Sequence, residues 1–557
     1  MADAKGERPE AVAEGLKRDP LPIRLSVSVI AFSFAVYLLT MSPGVSWAHH
    51  SEDSGDLITA AWVLGIPHPT GYPLFCLLGW LWSHVIAVGS VAWRMNVLSA
   101  VWSALAAGLT VRAAWSAFGL LPADVLLKVS RFGRAVGSMA SGFLLAFAKD
   151  VWGQSVVTEV YTLNLFFISL TGWILIELLA GAERAERNEN PGAVDSWDRQ
   201  RPRLISLLGL TWGFSLTNHM TSLFLFPGIL LVLLFGKIRP RFAEIARAAF
   251  WLFLPLLLYA YLPIRSRMDP PLDWGNPETL AATVWVVSGR QFRRLMFSLL
   301  PYMMIHQVMR YSSVAGEFGF AGALASALGV CGLFLARWYR VLIMLGYTLT
   351  LVATAFFFLS SYYIWDPEGY LLGSIWAMSI WAGWTLVLLV SVPAGWVRAG
   401  RVAGIALLLT APIWALAGNW ADVDLSWNYD AIHYGEDAFS AFEPNAVVIE
   451  VRYQRAFTLW YYREVEHAND RDDVAVIYVE HANYDWGLAL LKRKYPDLVL
   501  PDATFRGAKK DAEASAFIIE NNIADHPIYI GALVGSLQDE GYRFEAVGLL
   551  YRVFPPE

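Results

Sequence analysis

Apolar runs of about twenty residues recur along most of this chain, and each is long enough to cross a hydrocarbon core as a helix. They fall near residues 23–42, 95–115, 132–148, 161–180, 204–217, 221–236, 247–263, 319–336, 341–361, 370–392 and 401–418. A backbone inside lipid must satisfy its own N–H and C=O groups. The expected fold class is therefore a polytopic α-helical membrane protein of about eleven spans. Composition points the same way, with 56% apolar and only 16% charged residues, which excludes an ordinary soluble enzyme of this size. The two cysteines, Cys76 and Cys331, sit far apart in apolar stretches and read as small buried hydrophobes. The N-terminal 22 residues are polar, and no cleavable leader is expected there.

Cationic loops favour the cytoplasmic side. Lys17/Arg18/Arg24, Lys128/Arg131/Arg134, Arg184 to Arg203, Lys237 to Arg247, Arg337/Arg340 and Arg398/Arg401 all fall on one side if the runs alternate as given. This holds only if 72–88, "YPLFCLLGWLWSHVIAV", is not a crossing; it is expected along the membrane surface, with Trp80 and Trp82 at the interface. A large first extracytoplasmic loop, 42–94, follows. Residues 1–22 form the expected cytoplasmic tail and 23–418 the membrane domain. The charge run within 181–203 reads as a solvated linker.

From residue 419 onward the chain holds 24 acids against 12 bases and changes character. "NAVVIEV" (445–451), "DVAVIYVE" (473–480) and "HPIYIGAL" (526–533) predict strands, and 453–467 and 484–495 predict helices between them. Residues 419–557 are thus expected to form a soluble α/β extracytoplasmic domain. In a bacterial inner membrane that face is the periplasm.

The polar motifs gather on this same outer face. "SEDSGDLITAAWVLGIPHPTGYP" (51–73) holds Glu52, Asp53, Asp56 and His68. Asp53 and Asp56 suit the first turn of a short helix, where a cap acceptor satisfies orphan amides. Crowded carboxylates at an apolar lip also raise one another's pKa, as a general base requires. His68, between two prolines, suits either a turn or the site. Arg265 of "LPIRS" has snorkelling as its plain reading, and Asn218 and His219 of "TNHM" have helix bridging. Asp273, Trp274 and Asn276 of "LDWGNP" combine turn composition with a ring and an amide suited to a sugar. Asp366 and Tyr370 of "WDPEGY" suit a helix start.

These segments resemble a known family. "DSGDLITAAWVLGIPHPTGYPLF", "VVTEVYTLN", "GFSLTNHMT", "YLPIRSRMDPPLDWGNPET" and "WDPEGYLL", in that order, are similar to motifs of multispanning proteins whose animal relatives are endoplasmic-reticulum O-mannosyltransferases of plexins. These belong to the GT-C superfamily of lipid-phosphate-sugar glycosyltransferases. Where the family usually has Glu, this chain has Asp56. The resemblance implies an inverting transfer of a sugar, mannose by analogy, from a polyprenyl phosphate embedded in the bilayer to a hydroxyl of a protein, lipid or glycan. Asp53 would be the base, Asp56 and Glu159 acceptor ligands, and Arg265, His219, Asn218 and His68 donor-phosphate ligands. Asp273, Trp274, Asn276, Tyr161, Asp366 and Tyr370 would contact substrate. No cofactor is called for, no metal-ligand spacing is present, and a divalent ion at Asp56 and Glu159 is the lesser alternative. No nucleic-acid partner is expected. A lipid-linked-sugar flippase or a non-catalytic assembly subunit are the competing readings.

Overall fold

The computed structural model describes residues 20–187, 191–336, 338–363, 367–391, 394–467 and 470–557. Most of the expected cytoplasmic tail, residues 1–19, lies outside the described residues. All eleven apolar runs are helical. They correspond to Leu21–Thr40, Val91–Phe118, Arg131–Phe147, Tyr161–Arg187, Pro191–Asn218, Met220–Phe235, Phe242–Ser266, Val314–Ala336, Tyr339–Ser361, Glu368–Val390 and Val397–Val423, some of them broken by short 3₁₀ turns. Among the described residues, eight are by themselves long and apolar enough to cross a membrane. The chain is a multi-pass membrane protein.

Close helix crossings rest on small residues. A Cβ added at Gly137 would fall 2.6 Å from the Gly383 carbonyl oxygen, so the helices Arg131–Phe147 and Glu368–Gly383 meet backbone to backbone. Large apolar side chains such as Phe32, Leu39, Phe253 and Leu257 point outward. Their natural solvent is acyl chain. Cys76 is buried, but Cys331 faces outward from its span, which lipid rather than protein covers.

One expectation changes. The 181–203 charge run is no solvated linker, because helix continues on both sides of residues 188–190, which lie outside the described residues. Several of its charges are paired: Arg201 with Glu244 at 3.0 Å, both nearly buried, and Glu183 and Glu186 with Arg340 at 2.6 and 2.9 Å. Apolar surroundings strengthen such pairs and make each lone partner costly.

The C-terminal region forms the expected α/β unit and packs on the loop after the first span. Its sheet comprises β1 (Val447–Glu450), β2 (Ala475–Tyr478), β3 (Ile528–Ile530), β4 (Arg543–Val547) and β5 (Leu550–Phe554) in the order β2-β1-β3-β5-β4. The three expected strands form its parallel half, and an unexpected β4–β5 hairpin closes it antiparallel. Helices Asp430–Ala441 and Lys510–Asn522 were also not foreseen. One apolar core runs from Leu57, Ile58 and Phe75 of the loop after the first span through Trp274 to Phe457, Trp460 and Tyr478 of this region. The helix Tyr453–Tyr461 lies on the helix Ser54–Val63, and Gly55 allows the contact: a Cβ there would sit 2.8 Å from the Thr458 amide nitrogen and nearer still to the Phe457 carbonyl.

Candidate active site

The loop after the first span folds into a short helix, Ser54–Val63, a turn at 66–72, and a helix, Pro73–Val85, whose Trp80, Leu81 and Val85 are exposed. The turn is held from across the site. Ile66 donates its N–H to the Leu272 carbonyl at 2.8 Å, and Trp274 donates to the Ile66 carbonyl at 3.0 Å, so the "LDWGNP" segment forms a bridge with it.

Asp53 occupies the N-cap position but makes no capping bond with its side chain. The carboxylate is left for other work, and it remains 34% exposed. Its pKa is raised, mainly by desolvation; His68 opposes that rise, and Asp56 adds to it. Glu52 beside it is also raised, again mainly by burial. Asp56, on the first turn, has no solvent exposure. Its Oδ2 accepts from the His68 backbone N–H at 3.0 Å and lies 2.7 Å from His68 Nδ1, while Oδ1 has no hydrogen-bond partner. The other ring nitrogen, Nε2, is 3.4 Å from Asp53 Oδ2 and 3.1 Å from Tyr72 Oη, and the Tyr72 hydroxyl donates to the Pro69 carbonyl at 3.1 Å. The three residues thus form a line from buried to exposed: Asp56, His68, Asp53.

Tyr72 is a hub that sequence reasoning missed. Burial pushes its phenol well above the usual range, and Asp53, Tyr370 and Glu159 each add to the rise. Its ring stacks on His219 at 5.9 Å, and His219 also faces Tyr161 at 5.3 Å and Tyr370 at 6.2 Å. His219 Nδ1 accepts from the Thr221 amide at 3.3 Å and lies 2.7 Å from the Thr221 hydroxyl, which assigns the ring proton to Nε2. Desolvation, helped by His68, lowers its pKa to about 4, so the ring is neutral. Below this box a mostly apolar cleft lined by Asn164, Ile168, Thr221, Phe224, Phe358 and Tyr370 runs between the spans. Glu159 is buried at the start of the Tyr161 helix, its Oε2 accepting from the Val160 amide at 3.3 Å.

The structure brings Asp53, Asp56, His68, Glu159, Tyr161, His219 and Tyr370 together, sets the Trp274 ring edge-on to His68 at 6.2 Å, and gives Arg265, Asn218, Asp273 and Asn276 partners of their own. Arg265 clamps the end of the Ser54–Val63 helix: Nε donates to the Leu64 carbonyl at 2.7 Å and Nη2 to the Val63 carbonyl at 3.2 Å. Those carbonyls are orphans of a helix C-terminus, so Nε and Nη2 of the guanidinium are spent on them. Asn218 donates to the Val160 carbonyl at 3.2 Å and joins two spans. Trp274 is no sugar platform, because it is 4% exposed, donates to Gln291 and packs among Phe457, His481 and Trp486. Asp273 and Asn276 both accept from the Ser266 hydroxyl, and burial raises the Asp273 carboxyl to about 6. Asp366 lies outside the described residues.

A second polar group borders the mouth. His50 Nε2 is 3.1 Å from Glu368, Asp150 donates its amide to Glu317 at 3.1 Å, and burial lifts the Asp150 carboxyl to about 6. No motif spacing signals it, since its members come from four separate segments. Among the described residues no group of three His, Cys, Asp or Glu is arranged to hold a metal ion.

Residues 53–241 match the model of the protein O-mannosyl-transferase TMEM260 N-terminal domain. A mouse protein O-mannosyl-transferase TMEM260 is 30% identical over 262 residues, 46% of this chain and 33% of its own length. The Dictyostelium discoideum protein of that name is 23% identical over 564 residues, 93% of this chain and 65% of its own. The chain therefore spans a third to about two thirds of these relatives. In three dimensions it is similar to ArnT from Cupriavidus metallidurans, solved with undecaprenyl phosphate bound, at a TM-score of 0.55 and 14% identity over 95% of this chain and 97% of that one. The apo form of the same protein matches with a TM-score of 0.56. The fold is the GT-C type that the motifs imply.

Proposed function

We propose that the chain is an inverting glycosyltransferase that moves a sugar from a polyprenyl-phosphate donor to a hydroxyl on an exported protein, with Asp53 as general base. The observation that carries this reading is Asp53 itself: a carboxylate that caps nothing, stands a third exposed at the mouth, has a raised pKa and faces a box of phenols above an apolar cleft. A base poised by burial above the ordinary carboxylate range takes a proton more readily than a solvated one.

The isoprenoid tail would lie in the cleft lined by Ile168, Phe224 and Phe358, which offers acyl-like surroundings. The sugar phosphate would sit at Tyr72, Tyr161, His219 and Tyr370. Asp53 removes the acceptor O–H proton, the oxygen bonds to the anomeric carbon, and the bond from that carbon to the phosphate oxygen breaks with its electron pair. Negative charge grows on the departing phosphate, and preorganised donors there lower the barrier. The neutral His219 presents Nε2–H for this. Mannose is the sugar favoured by the names of the relatives, and a protein acceptor by the same names. The charge pattern of the loops puts the mouth on the extracytoplasmic face of the membrane that holds the chain, the inner membrane in a bacterium.

The test is mass spectrometry of exported glycoproteins from cells carrying Asp53→Asn beside the intact protein. Glycan lost in the variant, with equal protein in the membrane, is expected; identical profiles would refute the proposal. Release of polyprenyl phosphate separates transfer from flipping, because a flippase conserves its donor.

A further inference from the structure

Asp56 cannot be an acceptor ligand, since no part of it is exposed and its Oδ2 is committed to His68. We propose instead that Asp56 and His68 are a positioning pair, in which the buried carboxylate holds the imidazole charged and turns its Nε2–H onto Asp53, so that the base is ionised and aimed when the acceptor arrives. The inference rests on Asp53 being the base.

Three features of the geometry lead there. A carboxylate with no access to water needs a countercharge or pays heavily, and the cation within reach of Asp56 is His68, at 2.7 Å. In the charged form every proton of the ring network has an acceptor: Nδ1–H gives to Asp56, Nε2–H faces Tyr72 Oη at 3.1 Å and Asp53 at 3.4 Å, and the Tyr72 hydroxyl gives to the Pro69 carbonyl. The turn carrying His68 is fixed by the Asp56 bond to its backbone amide and by the Ile66 pairing with Leu272 and Trp274, so the ring is a rigid part of the mouth. This is the arrangement of a carboxylate that orients a histidine, with the histidine working on a second carboxylate in place of a hydroxyl nucleophile.

The ionisable groups around the pair are Glu52 beside Asp53, Tyr72 at the start of the Pro73–Val85 helix and Cys76 within it, Glu159 before the Tyr161 helix, and His219 and Tyr370 from the far side of the mouth. Asp56 itself and Glu52 bring negative charge, which works against ionising Asp53. His68 is the nearby group that works for it.

The experiment measures transfer of radiolabelled mannose from undecaprenyl-phosphate mannose to membrane and exported protein, in washed membranes containing the full chain, between pH 5 and 9. His68→Gln keeps a hydrogen-bonding group but no charge, and Asp56→Asn removes the countercharge. His68→Gln is expected to move the acidic limb of kcat/KM to higher pH by about one unit, so that its loss is about tenfold on the limb and small on the plateau; Asp56→Asn is expected to move it the same way, because losing the His68 charge outweighs removing the charge of Asp56 itself. Thermal unfolding in detergent, measured in parallel, identifies a variant that is merely misfolded. A loss equal at all pH values in a folded variant, or an unmoved limb, would overturn the pair. Full activity in Asp53→Asn would instead overturn the base itself, and the two failures are thereby told apart.

Discussion

Gly55→Ala tests whether the C-terminal region sets the geometry of the mouth. Gly55 is the second residue of the helix that follows Asp53 and precedes Asp56 by one position. The new methyl carbon would lie 2.8 Å from the Thr458 nitrogen and closer to the Phe457 carbonyl, where ordinary contact begins near 3.4 Å. Both obstacles are main chain inside a helix and cannot rotate away. Alanine's better helix propensity contributes at most about 1 kcal/mol, whereas overpacking of this kind costs about 1 to 3 kcal/mol. The clash should win, and the two helices should part by about 1 Å. A displacement of that size at a reacting group costs on the order of a hundredfold in rate. The assay is the initial rate of sugar transfer in membranes, with the amount of folded protein measured alongside. A Gly55→Ala protein as active and as stable as the parent would show that the seam does not position Asp53 and that the contact is incidental.

Replacing Arg265 by Ala uncovers the Val63 and Leu64 carbonyls; stability should fall by about 1 to 2 kcal/mol, read by thermal unfolding in detergent, with donor affinity expected to stay at the parent's value because Nε and Nη2 serve the helix end. Asp273→Asn should stabilise the protein at pH 8 and have little effect at pH 4. The native carboxyl titrates at about 6 against an ordinary value near 4, so its penalty is complete above pH 6 and vanishes below the ordinary value; a melting-temperature gain that grows as pH falls would contradict this sign. Tyr72→Phe removes the hydroxyl between His68 and Pro69 and is expected to lower kcat about tenfold with KM little changed. A KM rise alone would place Tyr72 in binding only.

The spans were legible because a run of about twenty apolar residues has few alternatives, and the parallel half of the sheet because its strands are continuous apolar runs buried on both faces. The β4–β5 hairpin was not: "RFEAVGLLYRVF" puts charge on an edge pair that is half exposed, which masks the strand signal. At the mouth, the cluster of motifs marked the right loop. Partners were beyond reach. Whether Asp56 caps its helix or grips His68, twelve residues on, depends on the path of the turn, and that path is held by Leu272 and Trp274 some 200 residues away. Arg265 and Trp274 read as ligands because a cation and a ring near a mouth suggest substrate. Their real neighbours are a helix end and an aromatic seam built by the C-terminal region, which no local pattern announces.

The most direct measurement is a single-turnover release of polyprenyl phosphate from a labelled lipid-linked sugar by the purified protein in proteoliposomes, comparing the parent with Asp53→Asn. Loss of general-base assistance predicts a rate lower by about 10² to 10⁴, with binding of the lipid donor retained. A variant whose release rate stays within a few-fold of the parent would contradict the account.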